Sequence, residues 1–463
     1  MPQVYRADLT FLDGEFRADC GLLVGDDGRI AKVLGPGEKT ESAATHPVTY
    51  LGDKAILPGF VNAHSHTFQR LIRGRTETRG VGGDDFWSWR EPMYRAALSV
   101  DADDVYHVAR MTFLEMVMAG TTTVGEFHYL HRAQDGRAYG DPNLLAKRII
   151  SAAESVGLRI ALLRVAYARA GFGLEPHAGQ RRFYETPEEY LVNTAALADE
   201  LRGSTTAWLG VAPHSIRAVP LGQLEEIVGW AREHDLPVHM HAAEQRAELE
   251  ACRREYGMTP VELLAQRGLL SAKTTLVHAI HVTDMEIDAL AEADAVICSC
   301  PTTERNLGDG IIDAAKAAER GIRFAFGSDS QAQIDPLEDA RELEYHLRLQ
   351  IEKRAALDEI RGQNVSQRLL HYAAAGGAES LGFDGGVLGM GRPADFFAID
   401  LDDASVAGNS AESLLPMVVF GLNRRAITDV VVAGKRIYQD GAHPLTGEIV
   451  AQYKEVHRKV WGA

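Results

Sequence analysis

The chain has 463 residues, 46% apolar and 24% charged, the make-up of an ordinary globular protein with one large domain and a smaller one. Its 65 acidic residues outnumber 48 basic ones for a formal charge of −17, with no basic tract. That argues against nucleic acid or a membrane surface as partner and leaves a small molecule.

In chain order, residues 1–56 alternate polar and apolar between turn signals, DGEF at 13–16, DDGRI at 26–30 and GPGEK at 35–39, and predict short strands. The opening MPQVYRADLTFLDGEF lacks a basic segment followed by an apolar core, and no run of about eighteen apolar residues follows anywhere, so the expectation is a cytoplasmic protein. From 57 to 390 apolar strands alternate with helical segments. The strands are GFVNAH (59–64), TTTVGEF (121–127), RIALLRV (159–165), AWLGVA (207–212), PVHMH (237–241), TTLVHA (274–279), AVICSC (295–300) and RFAFGSD (323–329). Helical patterns separate them, such as VDADDVYHVARMTFLEMVMAG, which opens on aspartates and closes on glycine. Eight such units predict an α/β fold, a (β/α)8 TIM-like barrel. Residues 391–463 return to strand texture in PADFFAIDL and ITDVVVAGKRIYQDG and end in a helix. The two β-rich ends are expected to pair as one small β-sandwich domain. Cys20, Cys252, Cys298 and Cys300 are too few and scattered for a disulfide framework, and are read as reduced packing residues.

In such a barrel the chemistry lies at the C-terminal strand ends, where the loops converge. Polar residues gather there: His64 and His66 after strand one, Glu126, His128 and Tyr129 after strand two, His214 after strand four, His241, His278 and Asp329 after strands five, six and eight. Barrel positions are usually Val, Ile or Leu, so this repetition implies a shared task. Side chains one residue apart on a strand point the same way, which brings His64 and His66 together. With His241 and Asp329 they make a set suited to one Zn2+, or Fe2+, with a position left open for water. None of the ten lysines sits at a strand end to bridge a second ion. Asp329 stands beside the water to receive its proton. Glu244, three residues after His241, reads either as a proton shuttle or as an acid favoured by the dipole of the next helix. His278 reads either as a group that polarises substrate or as a buried, hydrogen-bonded imidazole. His239 lies deeper and is expected to be structural.

The strand-one His-x-His, the HxxE of His241 and Glu244, His278 and the GSDS at 327–330 resemble the amidohydrolase superfamily, in its zinc-dependent deaminase branch, over nearly the whole chain. Within that branch HSHTFQR, FWSWREPMYR, VGEFHYLH, APHSIRAV, HAAEQ, TLVHAIH and CPTTERNLGDGI are similar to the formimidoylglutamate deiminases of histidine breakdown. The resemblance implies hydrolysis of a formimino C=N group with release of ammonia, in a homodimeric enzyme. It implies metal ligands at His64, His66, His241 and Asp329, and proton transfer by Glu244, His278 and Asp329. It also implies substrate contacts at Gln69, Arg90, Tyr129, His214 and Arg217. Guanidinium forks bind carboxylates in bidentate fashion, which suits Arg90 and Arg217 to a dicarboxylate, although without the resemblance a surface ion pair in an acid-rich chain is the favoured explanation of either. The chain departs from the pattern at Gln331, where relatives often carry histidine. A rival reading is deamination of guanine, cytosine or an aminotriazine, with Trp87 and Trp89 as a flat wall. A barrel kept only as a scaffold would have lost ligands, and here each position is filled.

Overall fold

A computed structural model describes residues 2–38, 47–77 and 86–462. Its centre is eight parallel strands, β1 (Phe60–Ser65), β2 (Thr121–His128), β3 (Arg159–Ala166), β4 (Ala207–Pro213), β5 (Val238–Ala242), β6 (Thr274–His278), β7 (Val296–Ser299) and β8 (Arg323–Phe326), hydrogen-bonded in chain order. Nearly every strand residue is buried, because the ring interior covers one face and the helices the other, so the strands read as apolar runs rather than alternating ones. The helix Ala102–Met118 shows how the intervening segments start. The Asp101 side chain accepts hydrogen bonds from the Asp103 and Asp104 N–H groups, and the Asp104 carboxylate accepts one from the Asp101 N–H, satisfying amides that the helix itself leaves open.

The ring closes at its mouth. A parallel bridge joins Ser65 to Asp329; the Asp329 N–H donates to the His64 carbonyl at 3.0 Å and the His66 N–H to the Asp329 carbonyl at 3.0 Å. β8 stops at Phe326, three residues short of the predicted end. At Gly327 the chain passes so near β1 that a Cβ would lie 2.7 Å from the His64 Cβ and 3.0 Å from the Cys300 sulfur. Asp329 then takes a left-handed φ of 45°, and this bend in place of an extended strand carries it to the closing position.

Strands from both ends of the chain form two further sheets. One has four strands in the order Ile30–Leu34, Gly21–Val24, Gln3–Arg6, Val48–Tyr50. The other has six, in the order Lys435–Tyr438, Ile427–Val432, Phe396–Asp400, Lys54–Pro58, Leu9–Leu12, Glu15–Ala18. They share a core that includes Tyr5, Leu22, Ile30, Ile56, Phe396 and Val431. The helix Thr446–Trp461 leaves these sheets and packs along Ala102–Met118 of the barrel. There the Trp461 indole N–H donates to the Leu71 carbonyl at 3.0 Å and the Tyr453 hydroxyl to the Arg70 carbonyl at 3.3 Å. Among the described residues no helix is long and apolar enough to cross a membrane.

One buried residue ties barrel to sheets. The Asp395 carboxylate accepts from Arg159 Nε at 2.6 Å and from the Ala433 N–H at 2.6 Å, while its carbonyl accepts from the Gly59 N–H at 3.1 Å, just before β1. Asp395→Ala strands a buried guanidinium, at a cost of about 3–5 kcal/mol. The expected outcome is a clearly lower denaturant midpoint, with a smaller loss for Asp395→Asn, and an unchanged midpoint in urea would contradict it.

Candidate metal centre and active site

His64 and His66 converge as strand alternation requires. Their Nε2 atoms are 3.1 Å apart, and Asp329 Oδ1 lies 3.4 Å from the first and 3.1 Å from the second. His241, from β5, completes a buried group whose potential ligand atoms all lie within 4.8 Å of one another. The donor chemistry decides what such a group is for. His66 Nδ1 donates to the Phe127 carbonyl at 3.0 Å and His241 Nδ1 to the His214 carbonyl at 3.1 Å, so each ring presents a bare Nε2 lone pair to the others. Burial holds His64 down to about 3 and His241 well below its usual value, so neither relieves the crowding by protonation. Burial alone would raise Asp329; its close approach to the imidazoles of His64, His66 and His278 outweighs it and keeps the carboxyl well below its usual range. Lone pairs and a carboxylate packed this closely fit a divalent cation. Cys300 also approaches His278 and Asp329, but burial raises its thiol well above the usual value and it packs with Ala63, Val277 and Ala325. All four cysteines are free and buried.

Beside this candidate ligand group stands His278, with a left-handed φ of 73°, a strained conformation held by its surroundings. Its Nδ1 lies 3.3 Å from Glu304 Oε1, and its Nε2 lies 3.9 Å from Glu244 Oε1 and 3.7 Å from Asp329 Oδ2. Burial disfavours its charge, yet Glu244, Glu304 and Asp329 outweigh that and raise its proton affinity well above ordinary histidine. Glu244 precedes the helix Arg246–Tyr256, and its own N–H donates to Glu248 at 3.2 Å. Glu248 therefore serves the helix start, and the Glu244 side chain faces the cavity. Burial, with Glu244 adding to it, raises Glu248 to about 7 and Asp309 to about 8.

The five expected substrate residues line the same cavity as His66, His241 and Asp329. Gln69, in the turn Thr67–Ile72, donates to the Tyr129 hydroxyl at 2.8 Å. The Tyr129 ring meets His66 edge-on at 5.2 Å, and His214 stacks on His241 at 4.8 Å. Arg90 and Arg217 are both 7% exposed; burial first, and the charge of Arg217 second, lower the proton affinity of Arg90. Trp89 lines the wall; Trp87 lies outside the described side chains. Glu126 and His128 do not join this cavity. They alternate with Phe127 and Tyr129 and face away, and Glu126 instead accepts from the Ser65 hydroxyl at 2.7 Å and the Thr67 N–H at 2.8 Å. His239 Nε2 donates to the Ser380 carbonyl at 2.8 Å, in keeping with a structural role. Gln331 is fully buried and donates to the Ser65 hydroxyl at 2.9 Å and the Asp329 carbonyl at 3.0 Å.

A family model described as "Amidohydrolase family" matches residues 55–437. The chain belongs to the amidohydrolase family. It is 40% identical over 390 residues to a formimidoylglutamate deiminase of Pseudomonas aeruginosa, covering 84% of this chain and 86% of that one. It is 30% identical over 402 residues to a 5-methylthioadenosine/S-adenosylhomocysteine deaminase of Halobacterium salinarum, covering 86% and 83%. Among solved structures an amidohydrolase from Brucella melitensis superposes with a TM-score of 0.90 at 33% identity over 99% of both chains. An adenosine deaminase from Xanthomonas campestris with bound zinc shares the fold, with a TM-score of 0.84 at 22% identity over 100% of this chain and 99% of that one.

This amidohydrolase is a hydrolase acting on C–N bonds. Some groups at its site escaped the sequence reading. Glu304 lies inside the CPTTERNLGDGI stretch without a role, although an acid placed just after a strand end was the available signal. Glu248 and Asp309 look like ordinary helix and loop acids until their burial is known. For the metal centre, the expected outcome is about one equivalent of divalent metal per chain by elemental analysis, lost on dialysis against a chelator. His66→Ala should retain well below one equivalent while keeping its circular dichroism.

Proposed function

We propose that this amidohydrolase deiminates N-formimidoyl-L-glutamate to N-formyl-L-glutamate and ammonia, with zinc as its metal. The observation that carries the reading is the buried arginine pair, Arg90 and Arg217, on the wall of a cavity that reaches His66, His241 and Asp329. Two desolvated guanidinium groups match two carboxylates, whereas a purine or triazine would leave them facing a neutral ring. The 40% identical relative supports the same choice. The net charge of −17 does not oppose it. A guanidinium–carboxylate contact near 4 Å is worth about 4 kcal/mol at an effective dielectric of about 20, while charges beyond about 8–10 Å are screened at physiological salt.

A divalent ion held by His64, His66, His241 and Asp329 would lower the pKa of a water that it holds towards neutrality. The chain's own groups then move the protons. Glu304 fixes the Nδ1–H of His278, which leaves Nε2 between Asp329 Oδ2 and Glu244 Oε1. As water adds to the formimino carbon, Asp329 accepts one of its protons and Glu244 delivers one to the imino nitrogen. The second proton of the water follows to the same nitrogen, the C–N bond breaks, ammonia leaves with the formyl oxygen in place, and the proton held by Asp329 restores Glu244. Tyr129, held by Gln69, and His214, stacked on His241, orient the formimino end.

Ammonia release measured against N-formimidoyl-L-glutamate, S-adenosylhomocysteine, guanine and an aminotriazine tests the reading, with turnover expected on the first. Absence of that turnover beside activity on a purine would overturn it. Arg217→Lys should lower kcat/KM about tenfold or more through KM, because an ammonium cannot form the planar fork, and steady-state kinetics that leave KM unchanged would remove Arg217 from carboxylate binding.

A further inference from the structure

Resting on the proposed dicarboxylate substrate, we infer that the hydroxyls of Tyr94 and Tyr167, positioned by Gln180, join Arg90 in binding the side-chain carboxylate and so set the preference for a dicarboxylate. Gln180 is 1% exposed and its amide orientation is settled by its partners. The Tyr184 hydroxyl, which accepts from the His177 N–H at 2.8 Å, donates to Gln180 Oε1 at 2.5 Å. The Gln180 NH2 therefore points the other way, giving one hydrogen to the Tyr94 oxygen at 2.9 Å and the other to the Tyr167 oxygen at 2.8 Å. Each phenol so accepts a bond and keeps its own hydrogen, and neither hydroxyl meets an acceptor among the described residues. Two O–H donors on a cavity wall that Arg90 also lines form, with its guanidinium, a site for an anion with two oxygens. Arg90 and Tyr94 lie four residues apart on the helix Phe86–Ser99 and hence on one face of it.

The order of ring contacts says which carboxylate. Tyr129 and His214 touch the ligands His66 and His241. Tyr167 touches His214 at 4.7 Å, and Phe183 touches Tyr129 at 4.9 Å. Tyr94 meets Phe183 at 6.3 Å and so is one ring contact further removed from the candidate ligands. In a substrate whose formimino carbon sits at the ligands, the α-carboxylate is near that carbon and the side-chain carboxylate extends to the far wall.

The test compares N-formimidoyl-L-glutamate with N-formimidoyl-L-2-aminobutyrate, which keeps the α-carboxylate and lacks the other. In the holoenzyme the ratio of kcat/KM for the first over the second is expected to fall about tenfold in Tyr94→Phe and in Tyr167→Phe, the size of one hydrogen bond to a charged group. The loss should appear chiefly in KM for the dicarboxylate. An unchanged ratio overturns the inference: equal losses on both substrates would make the tyrosines structural, and no loss on either would make them idle. An unsubstituted enzyme that releases no ammonia from N-formimidoyl-L-glutamate would overturn the proposed function itself, before any variant is compared.

Discussion

The two backbone hydrogen bonds between Asp329 and the segment from His64 to His66 close the barrel and assemble three of the four candidate metal ligands in one stroke. Strand pairing normally needs only main-chain atoms, yet here the residues that pair are also those whose side chains must meet. A ligand set built on a sheet closure inherits the stiffness of the sheet. The bare glycine at 327, the left-handed Asp329 and the buried Gln331 are what the closure requires of its neighbours. Gln331 binds both sides of the seam, through the Ser65 hydroxyl and the Asp329 carbonyl, so a carboxamide performs the bridging there.

Around that seam the cavity is divided by charge. Glu244, Glu304 and Asp329 surround His278 on one side, while Arg90 and Arg217 line the cavity elsewhere. The proposed substrate is divided in the same way, with a basic formimino group at one end and carboxylates elsewhere. A molecule of that polarity can enter in one orientation only, since reversal would set like charges against each other in a medium of low dielectric.

Much of this was legible from residue order. Strands covered on both faces read as apolar runs, and histidines interrupting such runs at their ends stood out against Val and Ile. Strand ends were less legible: the length of β8 depended on how closely Gly327 passes His64, a contact across more than two hundred and fifty positions. Parity decided Glu126 and His128. Both sit at the end of β2 as expected, but alternation with Phe127 turns them outward, and a rule that counted polar strand ends without parity placed them too close to the chemistry. Gln180 was invisible because its meaning lies in partners distant in the chain, Tyr94 and Tyr167, each an ordinary aromatic by itself. Glu304 was hidden for the same reason, as it lies on the short helix Pro301–Leu307 and its partner His278 ends β6.

The helix Thr446–Trp461 lies against the barrel, and its partners give it a second role. Tyr453 and Trp461 grip the carbonyls of Arg70 and Leu71, and those residues belong to the turn that carries Gln69 into the cavity. A buttress drawn from the last stretch of the chain thus sets the height of a residue at the first strand's exit. Fusions or deletions in that helix would therefore be felt in the shape of the cavity at Gln69, some distance from the place where the chain was changed.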